Sequence, residues 1–343
     1  MNIKSFLKLV EIQTKVASVI PYLLGTFYAL YRYDNFNIKN AIIMFLSMII
    51  FDMTTTAINN YMDYAKAIKK EGYGYETHNA IVSYNLNPKF VRLIIFIMLV
   101  IAAALGILLV KNTNIIVLLI GVISFIIGIT YSFGPIPISR TPFGEIFSSL
   151  AMGFVITFLS IYIHVFDTGI LTINFSNLSN VSINFNIIDL INIFIVSLSP
   201  IMGIANIMLA NNICDIDDDI ENKRYTLPIY IGKERALKLF KWLYYIGFIS
   251  IVIGVLTRVL PVISIVTLLV LKLVQENINK FNKLQTKKDT FVLAVKNFVV
   301  TNLVYALTIL GGVILSCLWQ LLFYYLGKLS YFSDLELASS QSI

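Results

Sequence analysis

Long apolar runs alternate with short polar segments along the whole chain. Each run approaches the ~20 residues that a helix needs to cross the ~30 Å hydrocarbon layer of a bilayer. The ten-residue alternation of a transmembrane β-barrel is absent. The pattern predicts nine transmembrane helices, over Val16–Tyr31, Ile38–Tyr61, Val91–Val110, Ile115–Tyr131, Phe143–Val165, Ile187–Leu209, Leu239–Val255, Leu260–Val274 and Val295–Leu326.

Composition agrees with this pattern. Of the 343 residues, 58% are hydrophobic and only 13% are charged, and the mean hydropathy of +0.82 is far above that of soluble domains. No Pro/Gly/Ser-rich linker divides the chain, so we expect one all-α membrane domain over 1–343, with a flexible tail at 331–343. The polar segment 167–189 is expected to be an outer loop that could hold a short hairpin.

Positive charge is concentrated in particular loops. The net charge is +7, and Lys and Arg cluster after the second, sixth and eighth predicted helices. By the positive-inside rule, these loops and the N-terminus face the cytoplasm, which predicts a multi-pass protein of the cell membrane. The basic residues border loops and do not form a stripe with stacking aromatics, so a nucleic-acid partner is not expected.

One short pattern occurs twice. INNYMD (58–63) and ANNICD (210–215) both contain Asn-Asn-x-x-Asp, at the cytoplasmic ends of the second and sixth predicted helices. Matching positions in two halves predict a pseudo-repeat that faces one cavity. On a continuous helix, Asn211, Asp215 and Asp219 would lie along one face, as would Asn59 and Asp63.

These acids predict a cation site. Carboxylates close together repel one another, and charge at this depth is costly unless it lines a wet cavity or binds a cation. Carboxylate and amide oxygens suit Mg²⁺, which often bridges to a substrate phosphate. Four basic residues on the same side of the membrane could neutralise a diphosphate, namely Lys66, Arg140, Lys223 and Arg224. An anionic substrate with a lipid tail would place its head here.

Three other interpretations of the acidic segment compete with a magnesium site. An EF-hand is disfavoured because Ile220 stands where Gly is needed and Thr226 where Glu is needed. A solvated loop is favoured for Asp217, Asp218 and Glu221 alone, since these point away from the Asp215 face. The ion site of a transporter stays open as an alternative, although no Gly or Pro break at mid-membrane supports it.

Three segments together resemble a known family. INNYMDYAKA (58–67), YSFGPIPISRTPFGE (131–145) and NNICDIDDDIENKRYTLPIYIG (211–232) are similar to motifs of the UbiA superfamily of intramembrane aromatic prenyltransferases, most of all its menaquinone branch. The similarity extends from residue 20 to at least Gly232. It implies nine helices around a central, lipid-open cavity, with Mg²⁺ and a polyprenyl diphosphate held at motifs 59–66 and 211–226.

The resemblance also implies roles for individual residues. Asp63, Asp215 and Asp219 would bind the metal, together with Asn60, which stands where many members have Asp. Cys214 stands where relatives often have Arg, which removes one phosphate contact. Substrate contacts are expected at Asn59, Asn60, Asn211, Asn212, Lys223 and Arg224, and at Lys15, which matches a basic residue common on the first helix of this branch.

The expected activity is Mg²⁺-dependent transfer of a polyprenyl group from its diphosphate to an aromatic quinone precursor, with 1,4-dihydroxy-2-naphthoate implied by the resemblance. The metal, Lys66 and Arg140 would help the C1–O bond to break toward an allyl cation in a dry cavity. Tyr131 could stabilise this cation or orient the acceptor, or could be an interfacial tyrosine. Another acceptor, such as 4-hydroxybenzoate or a sugar phosphate, stays open, as does the oligomeric state.

Overall fold

The protein is described by a computed structural model that covers residues 1–66, 79–177 and 180–340. Helices make up most of this part of the chain, and two strands form a hairpin, β1 (Leu171–Asn177) and β2 (Asn180–Phe185). The helices are α1 (Ile3–Leu9), α2 (Val16–Tyr33), α3 (Ile38–Lys66), α4 (Ala80–Ser83), α5 (Pro88–Asn112), α6 (Ile115–Ser132), α7 (Gly144–Val165), α8 (Ile187–Cys214), α9 (Ile216–Glu221), α10 (Leu227–Ile231), α11 (Lys233–Leu256), α12 (Val262–Lys283) and α13 (Phe291–Ser340).

Eight of the described helices are long and apolar enough to cross a membrane: α3, α5, α6, α7, α8, α11, α12 and α13. The remaining predicted span forms α2, whose 18 residues include Arg32 and Pro21 and are less apolar. Helix α2 packs against α7 and α13 and buries Leu24 and Tyr28 completely. The prediction of an all-α polytopic membrane protein is confirmed.

Several helices extend beyond their predicted limits. Helix α12 continues past Val274 to Lys283 as an amphipathic segment. Its face with Ile278 and Phe281 is buried, while Lys280 and Lys283 are exposed. Hydropathy marks only the part that lies in hydrocarbon, and an amphipathic end is missed because its average hydropathy is low. Helix α11 likewise begins at Lys233, before the predicted Leu239. Helix α13 continues to Ser340, and the flexible tail stays a prediction.

Asparagines begin several of these helices. The side-chain oxygens of Asn87, Asn114 and Asn186 each accept a hydrogen bond from a backbone N–H of the first helical turn. Such caps satisfy donors that the helix itself leaves unpaired. Asn114 also donates to the Tyr162 hydroxyl over 2.8 Å, and this hydroxyl donates to the Leu171 carbonyl over 2.9 Å. The expected hairpin is confirmed and is tied to α6 and α7.

Glycines allow the closest helix contacts around α7. A Cβ atom on Gly25 of α2 would lie 2.5 Å from the Thr157 carbonyl oxygen, and one on Gly153 would lie 2.6 Å from the Ile201 Cα atom of α8. Gly153 lies in a π-helical segment of α7, Leu150–Val155. These contacts bring α2 and α8 close against α7, several residues of which line a large cavity.

Candidate functional site

A large apolar cavity lies between α3, α5, α6 and α7. Its volume is ≈ 590 Å³, and the lining is mainly aliphatic and aromatic. Phe51 of α3 stacks on Phe125 of α6 with ring centroids 4.0 Å apart. Much of the surface of α5 and α6 is exposed, as expected for helices that face lipid. The space therefore suits a hydrocarbon chain better than a polar solute.

The cavity has a polar end, called the motif end here, that is lined by Tyr131 of α6 and Ser148 of α7. Directly after Tyr131, the Ser132 hydroxyl donates to Asn59 Oδ1 over 3.0 Å. Asn59 Nδ2 lies 3.4 Å from Asp63 Oδ2. The first motif thus begins where the lining of the cavity ends.

The second motif borders the same end through Glu145. One turn before Ser148, Glu145 Oε1 accepts a hydrogen bond from Asn212 Nδ2 over 2.8 Å. Glu145 is 4% exposed, and its Oε2 atom has no hydrogen-bond partner within the described residues. Asn211 Nδ2 contacts Asn212 Oδ1 at 3.4 Å. Glu145 lies within the similar segment 131–145, but its spacing gave no sign that it contacts the second motif.

One expectation about the second motif is wrong. Asn211, Asp215 and Asp219 do not share one continuous helix, because α8 ends at Cys214 and α9 begins at Ile216. Asp215 lies at the break, and its carbonyl oxygen accepts from Asp219 N over 2.7 Å. A helix dipole disfavours acids at its C-terminus and favours them in its first turn. The break places Asp217 and the two acids after it in the first turn of α9.

Asp219 is buried and contacts two partners through its carboxylate. Only 2% of its surface is exposed. Arg224 Nε lies 3.2 Å from Asp219 Oδ1, and the Thr226 hydroxyl donates to Oδ2 over 3.1 Å. Burial raises the pKa of Asp219 from 3.8 to about 6, and the Asp215 charge adds to the rise, whereas Arg224, Thr226 and Lys287 oppose it. Burial thus makes the charged carboxylate costly on its own, and a bound cation would offset this cost.

Asp215 has a partner that the sequence did not indicate. Lys287, in the loop between α12 and α13, places Nζ 2.5 Å from Asp215 Oδ2. The Asp215 side chain is 11% exposed and that of Lys287 is 46% exposed. The clustering of Lys after the eighth predicted helix was the available signal, but nothing in it singled out Lys287.

Asp63 lies within reach of the same set of charges. The positive charges of Arg224, Arg140 and Lys287 and the negative charge of Glu11 all act on its carboxylate. Arg140 and Arg224 are linked through their loops, because Tyr225 N donates to the Arg140 carbonyl over 3.1 Å. The structure thus brings the three predicted aspartates and two of the predicted cations into one electrostatic site.

Asn60 is held by the N-terminal segment. Its Nδ2 atom donates to the Leu9 carbonyl over 3.1 Å and to Glu11 Oε1 over 3.2 Å. Its amide oxygen is the atom with which it would bind a metal. Glu11 adds a fourth carboxylate to the site.

The remaining predicted residues of the motifs differ in placement. The side chain of Lys66 lies outside the part of the chain that the structure describes. Lys223 is exposed and has a left-handed backbone with φ +53°. Asp217 and Glu221 are exposed too, which agrees with their interpretation as solvated charges.

Lys15 lies apart from the motifs. Its ammonium donates to Asp52 Oδ1 and to the Thr56 hydroxyl, each over 2.6 Å, and to the Asp52 carbonyl over 3.2 Å. The Ser18 hydroxyl donates to Asp52 Oδ2 over 2.6 Å. Because all three ammonium protons point to α3, a direct phosphate contact by Lys15 is not favoured. Asp52 and Ser18 line the cavity, which identifies them as polar groups that the sequence left unassigned.

The donor set suits Mg²⁺ bound together with a substrate. Within the described ranges, no three His, Cys, Asp or Glu side chains lie close enough together to hold a metal ion by themselves. Mg²⁺ is usually bound by one or two carboxylates, waters and substrate phosphates, without an all-protein cage. Asp215 and Asp219 are buried carboxylates next to cations that could bind phosphate. These residues fit a magnesium diphosphate.

Solved structures share this architecture. A UbiA homologue from Aeropyrum pernix K1 superposes with a TM-score of 0.63 at 19% identity, over 89% of this chain and 98% of that one. A UbiA homologue from Archaeoglobus fulgidus, solved with DMAPP and Mg²⁺, gives a TM-score of 0.62 at 15% identity, over 90% of this chain and 99% of that one. At such identities the likeness concerns the fold.

Comparison with known sequences adds evidence about the family of the chain. The chain is 29% identical over 251 residues to the 1,4-dihydroxy-2-naphthoate octaprenyltransferase of Bacillus subtilis (strain 168), over 71% of each chain. The model of the UbiA prenyltransferase family matches residues 18–296. This range contains both Asn-Asn-x-x-Asp motifs, the cavity-lining helices and Lys287. With most of its length and all three predicted aspartates inside that match, the chain belongs to the UbiA prenyltransferase family.

Proposed function

We propose that this prenyltransferase transfers a polyprenyl group from a polyprenyl diphosphate to 1,4-dihydroxy-2-naphthoate, with Mg²⁺ as cofactor. One observation carries the proposal: both Asp-containing motifs border the same end of an apolar cavity of ≈ 590 Å³. A charged head and a hydrocarbon tail would each have a matching environment there. The B. subtilis relative, named for an octaprenyl transfer to this naphthoate, supports the acceptor.

The charged residues would bind the diphosphate. The charges of Arg224 and Arg140 act on Asp63, so both residues lie within electrostatic reach of a diphosphate bound there. Lys66, Lys223, Asn59 and Asn211 are further proposed contacts from the two motifs. When bound to Asp63, Asp215 and Asp219, with Asn60 as an additional ligand, Mg²⁺ would withdraw electron density from the diphosphate and so ease cleavage of the C1–O bond.

The cavity would protect the reactive carbon. Its apolar lining excludes water, which would otherwise trap an allyl cation. Tyr131 lies on the wall at the motif end, where its ring can stabilise positive charge on C1. The acceptor ring would then form the new bond to C1 through the carbon that bears the carboxylate. That carboxylate would leave as CO₂, and the electron pair of the broken C–C bond would restore the aromatic ring.

The acceptor would enter the cavity near Asp52 and Ser18. These two side chains give the apolar lining a polar position, and Lys15 forms an ion pair with Asp52 over 2.6 Å. Lys15 is thus proposed to act on the acceptor through Asp52, and not on the diphosphate. The N-terminus and both motifs are proposed to face the cytoplasm, because the basic loops lie on their side of the membrane.

A competition assay tests this function. Purified protein is given Mg²⁺, octaprenyl diphosphate and equal amounts of 1,4-dihydroxy-2-naphthoate and 4-hydroxybenzoate, and products are identified by mass spectrometry. We expect a prenylated, decarboxylated naphthoquinol and no product in EDTA. Prenylated hydroxybenzoate would support prenyl transfer but contradict the proposed acceptor. Undiminished product in EDTA would contradict the metal requirement.

A matched pair of variants tests the site in the same assay. Asp215→Asn should lower turnover at least about 100-fold, because it removes a negative ligand of the proposed metal. Asp217→Asn lies two residues away on the exposed side of α9 and should stay within about twofold of the wild-type rate. Equal losses in both variants, or full activity of Asp215→Asn, would refute the assignment of Asp215.

A further inference from the structure

Lys287 reaches the second motif from a distant part of the chain. It follows Thr286 in a short turn that closes before α13. The Thr286 hydroxyl donates to Asp289 Oδ2 over 3.0 Å, and Thr290 N donates to the Thr286 carbonyl over 3.1 Å. These bonds fix the backbone on both sides of Lys287. The side chain then spans to Asp215, with Nζ 2.5 Å from Oδ2.

The neighbouring lysine does not share this placement. Lys288 is exposed and forms no ion pair in the described part of the chain, although it lies in the same turn. The charge of Lys287, by contrast, acts on Asp63 and Asp219 as well as on its direct partner Asp215. Within this turn, only position 287 is directed at the three aspartates.

The two side chains of this ion pair differ in exposure, and this difference would allow another cation to replace Lys287. Asp215 is 8% exposed and cannot move away from the site, so its charge requires a positive partner. The Lys287 side chain is 46% exposed, on a flexible four-carbon stem. A cation that binds Asp215 more strongly can displace the ammonium into solvent without breaking the turn. The displaced ammonium would remain within reach of the same pocket.

We propose that Lys287 is an exchangeable counter-ion of Asp215, which neutralises this carboxylate in the metal-free enzyme and moves to the diphosphate when a divalent cation binds. The inference rests on the proposed metal-dependent function. It implies effects of opposite sign: Lys287 competes with the metal for Asp215 but attracts the diphosphate. If Lys287 only maintained the fold, its replacement would weaken the binding of both the metal and the diphosphate.

Two binding measurements test these signs. Mn²⁺, a spin-active substitute for Mg²⁺, is titrated into the protein without substrate and followed by electron paramagnetic resonance. Lys287→Met should bind it about three- to tenfold more tightly, because a competing ion pair and a repelling charge are gone. Inorganic pyrophosphate is then titrated in excess Mg²⁺ by calorimetry, and the same variant should bind it at least about fivefold more weakly.

Controls separate the possible failures. Lys288→Met should match the wild type in both titrations, and Lys287→Arg should retain most of the pyrophosphate affinity. If wild-type Mn²⁺ binding does not depend on Asp215, as shown by Asp215→Asn, the proposed metal site itself fails. If it does depend on Asp215 and Lys287→Met leaves Mn²⁺ affinity unchanged or weaker, the counter-ion inference alone is overturned. Tighter Mn²⁺ binding without a loss of pyrophosphate affinity would also overturn it.

Discussion

Three aspartates of this protein form ion pairs with cations that lie at very different distances along the sequence. Asp219 pairs with Arg224, five positions later, whereas Asp215 pairs with Lys287 and Asp52 pairs with Lys15. An ion pair between residues close in sequence costs little chain entropy and can be anticipated from the sequence. An ion pair between residues far apart in sequence forms only after the helix bundle has brought them together. Each pairing lowers the cost of burying a charge that the reaction is proposed to need.

For Asp219, the pairing does not remove that cost entirely. Its pKa is raised to about 6, with burial as the largest cause, so the folded protein holds a proton that the unfolded chain releases near pH 3.8. Between these values the folded state binds more protons, and stability falls as the pH rises. Ionised Asp219 therefore destabilises the metal-free fold above about pH 6, and this effect disappears as the pH falls to about 4.

Asp219→Asn should accordingly stabilise the metal-free protein at neutral pH while abolishing activity. At pH 7.5 in EDTA we expect about 1–3 kcal/mol of additional stability, seen as a higher Tm. The gain should stay nearly constant from pH 7.5 to about 6 and then shrink as the pH is lowered to 4.5. Thermal unfolding in detergent across this range measures it. A lower Tm than wild type at pH 7.5 would mean that the contacts to Arg224 and Thr226 outweigh the burial cost.

Helices in this fold approach one another closely where a side chain is missing. Helix α7 meets α2 at Gly25 and α8 at its own Gly153, and both contacts involve backbone atoms that cannot move aside. Gly153 belongs to the π-helical segment Leu150–Val155, three residues of which line the cavity, namely Ala151, Met152 and Val155. Close backbone packing through small residues is how membrane helices associate without a hydrophobic driving force. The same contacts therefore fix the shape of the cavity wall.

Gly153→Ala should destabilise the protein by about 1–3 kcal/mol, because its Cβ would lie 2.6 Å from the Ile201 Cα atom. Gly121→Ala in α6 is the matched control, since a Cβ there meets no atom within 4 Å. That change should be neutral or stabilising, as alanine is the better helix former. Thermal unfolding in detergent compares the two, and an unchanged Tm for Gly153→Ala would argue against a tight α7–α8 contact.

Hydropathy predicted the spans, because crossing a bilayer requires long apolar helices whatever their packing. It did not predict the extent of α11 and α12, since their amphipathic ends are stabilised by burial against neighbours. The motif pair predicted Asp63, Asp215 and Asp219, but the helix break at Asp215 depends on local electrostatics that a spacing argument ignores. Glu145 and Lys287 were missed, because only the assembled bundle places them beside the motifs.

Across the whole molecule, the two ends differ in charge. The end with both motifs carries Arg140, Arg224 and Lys287, whereas the end with the β1–β2 hairpin is held by neutral contacts such as Tyr162 to Leu171. Positive charge favours the cytoplasmic side during insertion. A polyprenyl diphosphate would then reach the site with its head at the cytoplasmic surface and its tail in the bilayer.

Cysteine labelling in intact cells checks this orientation. In a background with Cys214→Ser and Cys317→Ser, a single cysteine is introduced either as Ser182→Cys, on the exposed hairpin, or as Lys288→Cys, in the exposed turn before α13. A membrane-impermeant maleimide should label the hairpin cysteine in intact cells and the turn cysteine only after permeabilisation, because the positive-inside rule places the basic turn in the cytoplasm. Both variants retain the motif residues, so activity in membranes confirms that each is folded. Labelling of Lys288→Cys in intact cells, with the hairpin protected, would reverse the orientation and place the diphosphate site on the outer face.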